Sequence, residues 1–303
     1  MSKKNISVFT PTYNRGFIIQ KCYESLCRQS NKNFIWLIVD DGSSDNTEEI
    51  VNSFINENKI EIIYQKQENG GKHVAHNTGV LKCETEIFVC VDSDDYLSDD
   101  AIQTIYDNWD EVKNEDSLAG IIALRGKSIT EPIGTWMPQN IKRASIIDLY
   151  EKNKFKGDTI LVFKTKILKK YLFPVFEGEN FVTEAVIYDQ ISQKHDMKLL
   201  NKVLYFCEYL EGGYTRNISQ IHRRNPKGYI HYFSQRIDMA NGLTNKYRAV
   251  SYYVAGCLRI RSLFYYKMCN NKFLKVISIP KGVWIYIKPL IKDQLIKLGL
   301  LKI

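Results

Sequence analysis

Three short stretches indicate the fold of this chain: VFTPTYNR at residues 8–15, VDDGSSD at 39–45 and VDSDD at 91–95. Each stretch begins with the end of an apolar run that is typical of a buried β-strand, and each then turns polar. Ligands of parallel α/β sheets bind outside the carboxyl ends of the strands. Three polar clusters at three equivalent strand ends therefore predict a binding site along that edge.

Apolar and amphipathic stretches alternate around these clusters. Strands are predicted at 6–10, where Pro11 should close the run, and at 34–39, 60–64, 87–91 and 118–124. Helices are predicted at 17–29, from 47 onward, at 72–81 and from the capping residues 98–100 to 109. This alternation predicts an α/β fold with a mostly parallel sheet flanked by helices.

The later part of the chain has a looser pattern. A strand is predicted at 159–164, a helix at 183–195, an extended segment at 199–208 and long helices beyond 227. We expect one domain at 1–215, made of two halves at 1–110 and 111–215. Residues 216–303 should form a basic, aromatic-rich helical extension.

Charge is distributed unevenly along the chain. The net formal charge is +8, yet residues 241–303 hold twelve Lys or Arg and one acid, which leaves residues 1–240 at about −3. Such asymmetry indicates an anionic partner. Seven scattered cysteines without a Cys-x-x-Cys pair, and an N-terminus that runs directly into a strand, favour a cytoplasmic location without a signal peptide.

The Asp92-Ser93-Asp94 turn predicts a metal site. Two carboxylates one residue apart can face one divalent cation, and Mg²⁺ or Mn²⁺ prefers such oxygen ligands. A cation of this kind neutralises the charge that grows on a diphosphate leaving group. The alternative is a solvated acidic turn. Asp95 and Asp99 are assigned to the start of the next helix.

Residues at the other strand ends suit a nucleotide. Asp41 can accept a hydrogen bond from a base N–H, Tyr13 can stack on the base, and Arg15 and Lys72 can reach phosphates. Alternatively, Asp41 caps the following helix, and the others are ordinary surface side chains. His73, His76 and Asn77 near the start of the third helix are capping, packing or ligand residues.

Together with Glu68-Asn69-Gly70-Gly71, the three stretches closely resemble family 2 glycosyltransferases with the GT-A fold. The resemblance is strong over residues 5–110 and weaker to about 215, where 173–181 and 208–210 look like bacterial capsule and surface-polysaccharide members. It implies an inverting transfer from a nucleoside diphosphate sugar, for which the Asp41 carboxylate favours uridine. The domain at 1–215 is then expected to be catalytic, with a nucleotide-binding half at 1–110 and an acceptor half at 111–215. The implied nucleotide-sugar residues are Pro11, Thr12, Tyr13, Arg15, Asp41, Lys72, Asp92 and Ser93, with Mn²⁺ or Mg²⁺ on Asp94 and Asp92.

Inversion needs one general base, which removes the proton of the acceptor hydroxyl. The resemblance places that base in FVTEA at 181–185, where Ala185 replaces the Asp of many relatives. We therefore assign the base to Glu184, with Thr183 capping the helix and Glu184 in its first turn. The alternatives for the base are Glu177, Glu179 and Asp189, or a purely structural role for Glu184 at the helix dipole.

The segment 275–303 mixes apolar and aromatic residues with six lysines, and Pro280 and Pro289 should break it into short helices. A basic amphipathic stretch of this kind favours the headgroup region of an anionic membrane. The expected location is thus peripheral, on the inner face of the cell membrane, beside a growing glycan or lipid-linked acceptor. The alternative is a helix pair packed on the catalytic domain.

Other functions fit the sequence less well. The segment 10–16 lacks the Gly-rich, Arg-bearing loop of a nucleotidyltransferase, the Asp-x-Asp lies too far along the chain for an aspartyl-phosphate phosphatase, and no P-loop motif occurs. The basic tail carries no nucleic-acid-binding motif, so no nucleic acid is expected. The alternative function is that of a catalytically degenerate relative that acts as a membrane-associated assembly partner. Ala185 favours this alternative, because it replaces the Asp of many relatives.

Overall fold

A computed structural model describes residues 4–207, 214–261, 272–298 and 300. The described residues belong to two compact units, Met1–Phe173 with Ile187–Leu210, and Pro174–Val186 with Glu211–Ile303. Residues 174–186, which the sequence groups with the catalytic domain, thus cluster with the C-terminal helices. Residue 208 of the predicted extended segment 199–208 and the whole motif 208–210 lie outside the described residues.

The first unit begins with the predicted alternation of strands and helices. Its elements are β1 (Ile6–Thr12), α1 (Ile19–Arg28), β2 (Phe34–Asp40), α2 (Thr47–Glu57), β3 (Ile62–Lys66), α3 (Lys72–Lys82), β4 (Ile87–Cys90), β5 (Tyr96–Leu97), α4 (Ala101–Lys113), β6 (Leu118–Ser128), β7 (Glu131–Pro132), β8 (Arg143–Ala144), α5 (Ile146–Glu151), β9 (Thr159–Lys164), α6 (Thr165–Leu168), α7 (Ala185–Ser192) and β10 (Asp196–Phe206). The division between the units falls within α7.

The ten strands form one sheet in the order β3-β2-β1-β4-β9-β6-β10-β5, with β7 on β6 and β8 on β10. The neighbours β3, β2, β1 and β4 are parallel, as the alternation predicts. The fifth predicted strand, β6, does not continue this run, because β9 lies between β4 and β6 and is antiparallel to both. The α/β class with helices flanking a central sheet is confirmed.

Pro11 does not close the first strand, because β1 extends to Thr12 and pairs with β2 over its whole length. The Thr12 carbonyl accepts the Asp41 N–H on the β2 side, and the Phe9 carbonyl accepts the Val91 N–H on the β4 side. Because backbone groups alternate sides along a strand, the ring nitrogen of Pro11 faces the β4 side. The pairing with β4 has ended there, at Phe9 and Cys90. A residue without an N–H group is tolerated at that position because no ladder bond is lost.

The core of the first unit fixes helices on the sheet through aromatic contacts. The Tyr23 ring of α1 stacks on Phe54 of α2, with ring centroids 4.0 Å apart, and both rings stack over the buried Trp36 of β2. Full burial of one such side chain contributes roughly 1.5–3 kcal/mol to folding. On α3, a Cβ at Gly79 would meet the Phe9 ring at 2.3 Å, so α3 lies very close to β1.

The second unit is helical, as predicted beyond residue 227. It contains α8 (Tyr214–Arg224), α9 (Pro226–Met239), α10 (Leu243–Ile260) and α11 (Lys272–Lys297). Its core is formed by Ile230, Val250, Tyr253, Val254, Cys257 and Leu274. The prediction that Pro280 and Pro289 break the last segment is wrong, because both lie inside the single helix α11.

Each of these prolines removes one N–H from the ladder of α11 and can bend the helix without ending it, since the packing on α10 continues past Pro280 at Gly282. Across the described ranges, none of the helices combines the length and apolarity that crossing a membrane requires.

Candidate active site

The loops after β1 and β2 are tied together by hydrogen bonds between backbone and side chains. The Asn14 N–H donates to Ser43 Oγ at 2.8 Å, and the Ser44 N–H donates to Asn14 Oδ1 at 2.8 Å. The Arg15 N–H donates to Thr47 Oγ1 at 3.0 Å. Asn14 adopts a left-handed backbone with φ of 52°, which Asn tolerates better than most residues.

These bonds set the loop geometry at the carboxyl ends of the strands. The Tyr13 side chain is 48% exposed there, which leaves its ring accessible for stacking. Pro11 and Thr12 are buried, and Thr12 Oγ1 has no hydrogen-bond partner in the described chain. A buried hydroxyl without a partner is unfavourable, so this atom is suited to a bond with a ligand.

Asp41 is buried and holds the loop before α3. Its Oδ2 accepts the Gly71 N–H at 2.7 Å, and its Oδ1 accepts the Gly70 N–H at 3.0 Å and Gln67 Nε2 at 2.8 Å. The alternative role, a cap for α2, is therefore wrong, since the carboxylate serves the start of α3. Gly42 forms a tight turn with φ of +84°, where a Cβ would also meet the Asn69 nitrogen at 3.0 Å.

The N-terminus of α2 is bound by the side chain of Asp45. Asp45 Oδ1 accepts the Thr47 N–H at 3.0 Å, and Asp45 Oδ2 accepts the Gly16 N–H at 3.2 Å. Asp45 thus supports both the start of α2 and the loop after β1. These bonds hold the pKa of Asp45 below its ordinary value, although burial acts in the opposite direction.

The acidic turn after β4 is surrounded by cations. Lys72, the first residue of α3, forms an ion pair with Asp92, with Nζ and Oδ1 2.7 Å apart. Burial acts to raise the pKa of Asp92, but the charges of Lys72, Arg125 and Arg15 outweigh it and hold the pKa below its ordinary value. The sequence-predicted Arg15, Lys72 and Asp92 are therefore close in space, while Ser93 is buried within the same turn.

Asp94 is half-buried, and its carboxylate makes no hydrogen bond or ion pair within the part of the chain that the structure describes. Across the same residues, no three His, Cys, Asp or Glu side chains converge as a complete metal site. Asp92 and Asp94 supply two hard oxygen ligands, which suits Mg²⁺ or Mn²⁺ when donor phosphates complete the coordination. The residues present therefore fit a divalent ion that is shared with its substrate.

Asp95 and Asp99 do not serve the start of α4 as expected. Asp95 is buried and accepts the Tyr205 hydroxyl at 2.6 Å, while Asp99 pairs with Arg28 at 3.1 Å. Burial, with the charges of Asp92 and Asp94 adding to it, raises the pKa of Asp95 to about 7. Sequence reasoning missed Tyr205 and Arg125, which contact this turn from distant strands.

His73 and His76 of α3 are buried against aromatic rings rather than at a cap. The His76 ring packs edge-on against Phe9, Phe88 and Phe173, and the His73 ring lies 6.3 Å from Phe173. Burial lowers the pKa of His73, which favours the neutral ring. Asn77 exchanges two hydrogen bonds with the Phe173 backbone, at 2.8 and 2.9 Å. These contacts attach residue 173 to α3.

Glu184 belongs to the second unit, where its side chain is exposed. It lies in the turn directly before α7 rather than in the first turn of that helix, because the helix begins at Ala185. A shift of one residue at a helix start is ordinary. The Val186 N–H donates to the Thr183 carbonyl at 3.0 Å, so Thr183 contributes backbone to this turn.

Glu179, one of the alternative bases, is already bound elsewhere in the second unit. Its carboxylate accepts the N–H groups of Lys227 at 2.7 Å and Gly228 at 2.9 Å, at the start of α9. Asp189 is buried within α7, and Glu177 is exposed. Glu184 and the strand-end residues thus fall in different units.

A central α/β sheet with an acidic turn and neighbouring cations at the carboxyl ends of its strands is the arrangement expected of a glycosyltransferase with the GT-A fold. The comparisons with known proteins agree. The glycosyl transferase family 2 model matches residues 7–172, and the chain belongs to that family.

Two curated relatives illustrate the similarity. Glycosyltransferase GlyG of Streptococcus pneumoniae is 35% identical over 221 residues, which cover 70% of this chain and 73% of GlyG. The poly(ribitol-phosphate) β-N-acetylglucosaminyltransferase TarP of Staphylococcus aureus is 29% identical over 55% of this chain, which spans only 51% of TarP.

Two solved structures support the fold alone. S. aureus TarS 1–349 in complex with UDP-GlcNAc has a TM-score of 0.55 at 19% identity, covering 93% of this chain and 81% of that one. The mannosyltransferase PcManGT of Pyrobaculum calidifontis, in complex with GDP-Man and Mn²⁺, has a TM-score of 0.54 at 15% identity, covering 94% and 84%. The resemblance seen in the sequence is thereby confirmed, and the protein is a glycosyltransferase with the GT-A fold.

Proposed function

We propose that this glycosyltransferase is inverting, depends on a divalent metal and takes a UDP-linked sugar. The observation that carries the proposal is the turn of Asp92 and Asp94 at the end of β4, with Lys72 and Arg15 beside it and the buried Thr12 hydroxyl at the neighbouring strand end. A diphosphate sugar complements this edge, because its phosphates match the cations and its base matches the polar end of β1 and β2.

Each residue has a role in the proposed complex. Pro11, Thr12, Tyr13 and Asp41 bind the base and ribose side, and Arg15, Lys72 and Ser93 bind the phosphate side. Asp92 and Asp94 hold the divalent ion, which neutralises charge on the diphosphate as its bond to the sugar breaks. A ligand of Asp92 must compete with Lys72, whose ammonium is 2.7 Å from that carboxylate.

The transfer itself needs one proton movement by the protein. Glu184 is proposed to accept the proton of the acceptor hydroxyl while the hydroxyl oxygen forms the new bond to the anomeric carbon. The electron pair of the broken bond leaves with the nucleoside diphosphate, and attack from the opposite side inverts the anomeric configuration. Glu179 is a weaker candidate because two backbone N–H groups already occupy its carboxylate.

The proposed acceptor is a hydroxyl of a growing surface glycan or of a lipid-linked glycan. Family 2 relatives that act on polymers support this, among them TarP, whose name gives a poly(ribitol-phosphate) acceptor. For this chain, whose matched region spans about half of TarP, the acceptor class remains a proposal.

We also propose peripheral attachment to the cytoplasmic face of an anionic membrane through α11. Phe273, Val276, Trp284, Ile291 and Leu298 are exposed and share one face, and Trp284 is 56% exposed. The opposite face packs on α10 through Ser278 and Gly282, whose Cβ would meet Val254 at 2.6 Å.

Charge complementarity selects lipid as the partner of that exposed face. The helix holds six lysines and one acidic residue, and Lys288 and Lys292 are exposed beside the apolar stripe. Basic residues around an exposed apolar face with a tryptophan suit the headgroup region of anionic bilayers.

A donor screen tests the catalytic proposal. Purified protein is incubated with a panel of nucleotide sugars and Mn²⁺, and the released nucleoside diphosphate is measured. We expect release from a UDP sugar, loss of that release in Asp94→Ala, and no change in Asp110→Ala, an exposed acid on α4 that pairs only with Lys113 among the described residues.

The outcomes separate the competing functions. Undiminished turnover in excess EDTA would contradict metal dependence. If the protein neither binds any donor of the panel nor releases nucleoside diphosphate from it, the result would support the alternative, a degenerate relative that acts as an assembly partner.

A further inference from the structure

The acidic turn lies across the ends of three strands. The chain leaves β4 at Cys90 and re-enters the sheet at β5, which pairs with β10. In the sheet order, β9, β6 and β10 lie between β4 and β5. Residues 91–95 therefore pass the ends of three intervening strands, and contacts with those strands help to keep the segment in one conformation.

Tyr205 of β10 supplies two of these contacts with one hydroxyl group. The hydroxyl accepts the Asp92 N–H at 3.1 Å and donates to Asp95 Oδ2 at 2.6 Å. The side chain is fully buried, so the hydroxyl does not exchange these partners for bulk water. One buried atom thus joins both ends of the four-residue turn that contains Asp94.

Arg125 of β6 completes the arrangement. Its guanidinium lies over the Tyr205 ring, 4.2 Å from the ring centroid, and its Nη1 is 3.9 Å from Asp95 Oδ2. Its Nε donates to the Thr159 carbonyl at 3.1 Å, which fixes the arginine on β9. Its positive charge and the Tyr205 hydroxyl offset part of the cost of burying Asp95 beside Asp92 and Asp94.

We propose that Tyr205 is a positioning residue that holds Asp92 and Asp94 in the conformation that binds a divalent ion with a nucleoside diphosphate. The inference rests on the proposed function and concerns the same site. Tyr205 contacts the backbone of one ligand and the neighbour of the other, and it acts through them. Groups that orient metal ligands in this way typically change metal affinity by about 10–100-fold when they are removed.

The variant Tyr205→Phe removes only the hydroxyl. It leaves the Asp92 N–H and one Asp95 oxygen without their partner, so the turn loses its connection to β10. Tyr106→Phe is the matched control in the same unit. The Tyr106 hydroxyl likewise accepts a backbone N–H, that of Asn5 at 3.4 Å, and donates to an oxygen, the Asn33 carbonyl at 2.7 Å.

Mn²⁺ affinity is the deciding measurement. We measure it on the full chain by electron paramagnetic resonance in the presence of UDP, and we measure turnover as a function of Mn²⁺ concentration. Tyr205→Phe should weaken Mn²⁺ binding by about 10–100-fold and shift the Mn²⁺ requirement by the same factor, with much of the parent kcat recovered at saturating metal. Tyr106→Phe should keep the parent Mn²⁺ affinity, even where both variants lose similar thermal stability.

Parent-like Mn²⁺ affinity in a folded Tyr205→Phe overturns the proposal. If that variant does not fold, Arg125→Lys takes its place, because it keeps the charge and loses the stacked guanidinium plane. We expect it to weaken Mn²⁺ binding several-fold, and parent-like affinity overturns the proposal equally. Failure of the parent itself to bind UDP with Mn²⁺ would contradict the proposed function, whereas a parent that binds while its variants match it contradicts only the role of Tyr205.

Discussion

The Asp41 carboxylate shapes a loop in addition to its proposed contact with the base, since it binds the N–H groups of Gly70 and Gly71. We expect Asp41→Ala to weaken nucleoside diphosphate binding by about 1.5–3 kcal/mol, the scale of hydrogen bonds to a charged group. Calorimetry with the free diphosphate measures this change. Asp99→Ala, an exposed acid in the same unit, should bind like the parent. Equal affinity in Asp41→Ala and parent would mean that the carboxylate contributes to the loop alone.

Glu184 is tested by separating binding from turnover. A general base contacts the acceptor and not the nucleotide, so Glu184→Gln should keep nucleotide affinity and lower turnover by about 10²–10⁴-fold. Glu179→Gln and Asp189→Asn should reduce turnover much less. Steady-state rates and calorimetry on the three variants decide the assignment. Near-normal turnover in Glu184→Gln, with a large loss in either of the others, relocates the base to that residue.

Sequence reasoning identifies strand-end residues but not those that support them. Asp92 and Asp94 form a local motif that follows an apolar run, and local patterns are readable from the chain. Tyr205 lies 113 residues from Asp92, and only the order of strands in the sheet brings the two together. The rule that sites form at the carboxyl ends of strands applies to β6 and β10 as well. It would have indicated Arg125 and Tyr205 once those strand ends were known.

Composition predicts whether a segment is a helix or a strand better than it predicts which elements lie beside that segment. The strand at 159–164 is correct as predicted, yet its antiparallel position between β4 and β6 is not readable from its sequence. That position depends on how the chain returns after β6, which is a matter of tertiary packing. Proline is misleading for a related reason. Pro11 lies inside β1 where its missing N–H removes no ladder bond, and Pro280 and Pro289 lie inside α11, whose other contacts outweigh the hydrogen bonds they remove.

The start of α9 depends on a carboxylate supplied from another part of the chain. The residue before the helix, Asn225, makes no side-chain cap, and Glu179 binds the N–H groups of Lys227 and Gly228 instead. We expect Glu179→Ala to destabilise the second unit by about 0.5–2 kcal/mol, the usual cost of a lost N-cap. Thermal unfolding measures this change, with Glu177→Ala as the control, because its exposed carboxylate makes no contact with α9 in the described residues. Equal stability of the two variants would contradict the capping role.

At the scale of the whole molecule, the two units differ in charge and in surface chemistry. The first 240 residues carry about −3, and the remainder carries about +11. The net charge is therefore a poor description of either part. A negative unit is repelled by an anionic bilayer, while the basic part is attracted with roughly 1 kcal/mol for each lysine or arginine near the surface. The sequence predicts this attraction, and the structure adds that one face of α11 is apolar and exposed.

The exposed face of α11 should bind to anionic vesicles through Trp284. Transfer of the Trp284 side chain from water into the headgroup region removes apolar surface from water, so Trp284→Ser should weaken binding to phosphatidylglycerol vesicles by about tenfold, for a loss of roughly 1–2 kcal/mol. Trp136→Ser is the matched control, because Trp136 is an exposed tryptophan of the first unit. Co-sedimentation with vesicles measures the affinity, which should fall as salt rises and vanish on phosphatidylcholine alone. If the parent protein does not bind anionic vesicles, the proposal of membrane attachment is contradicted. If sedimentation velocity instead shows a dimer that Trp284→Ser dissociates, a second copy of the chain covers this face.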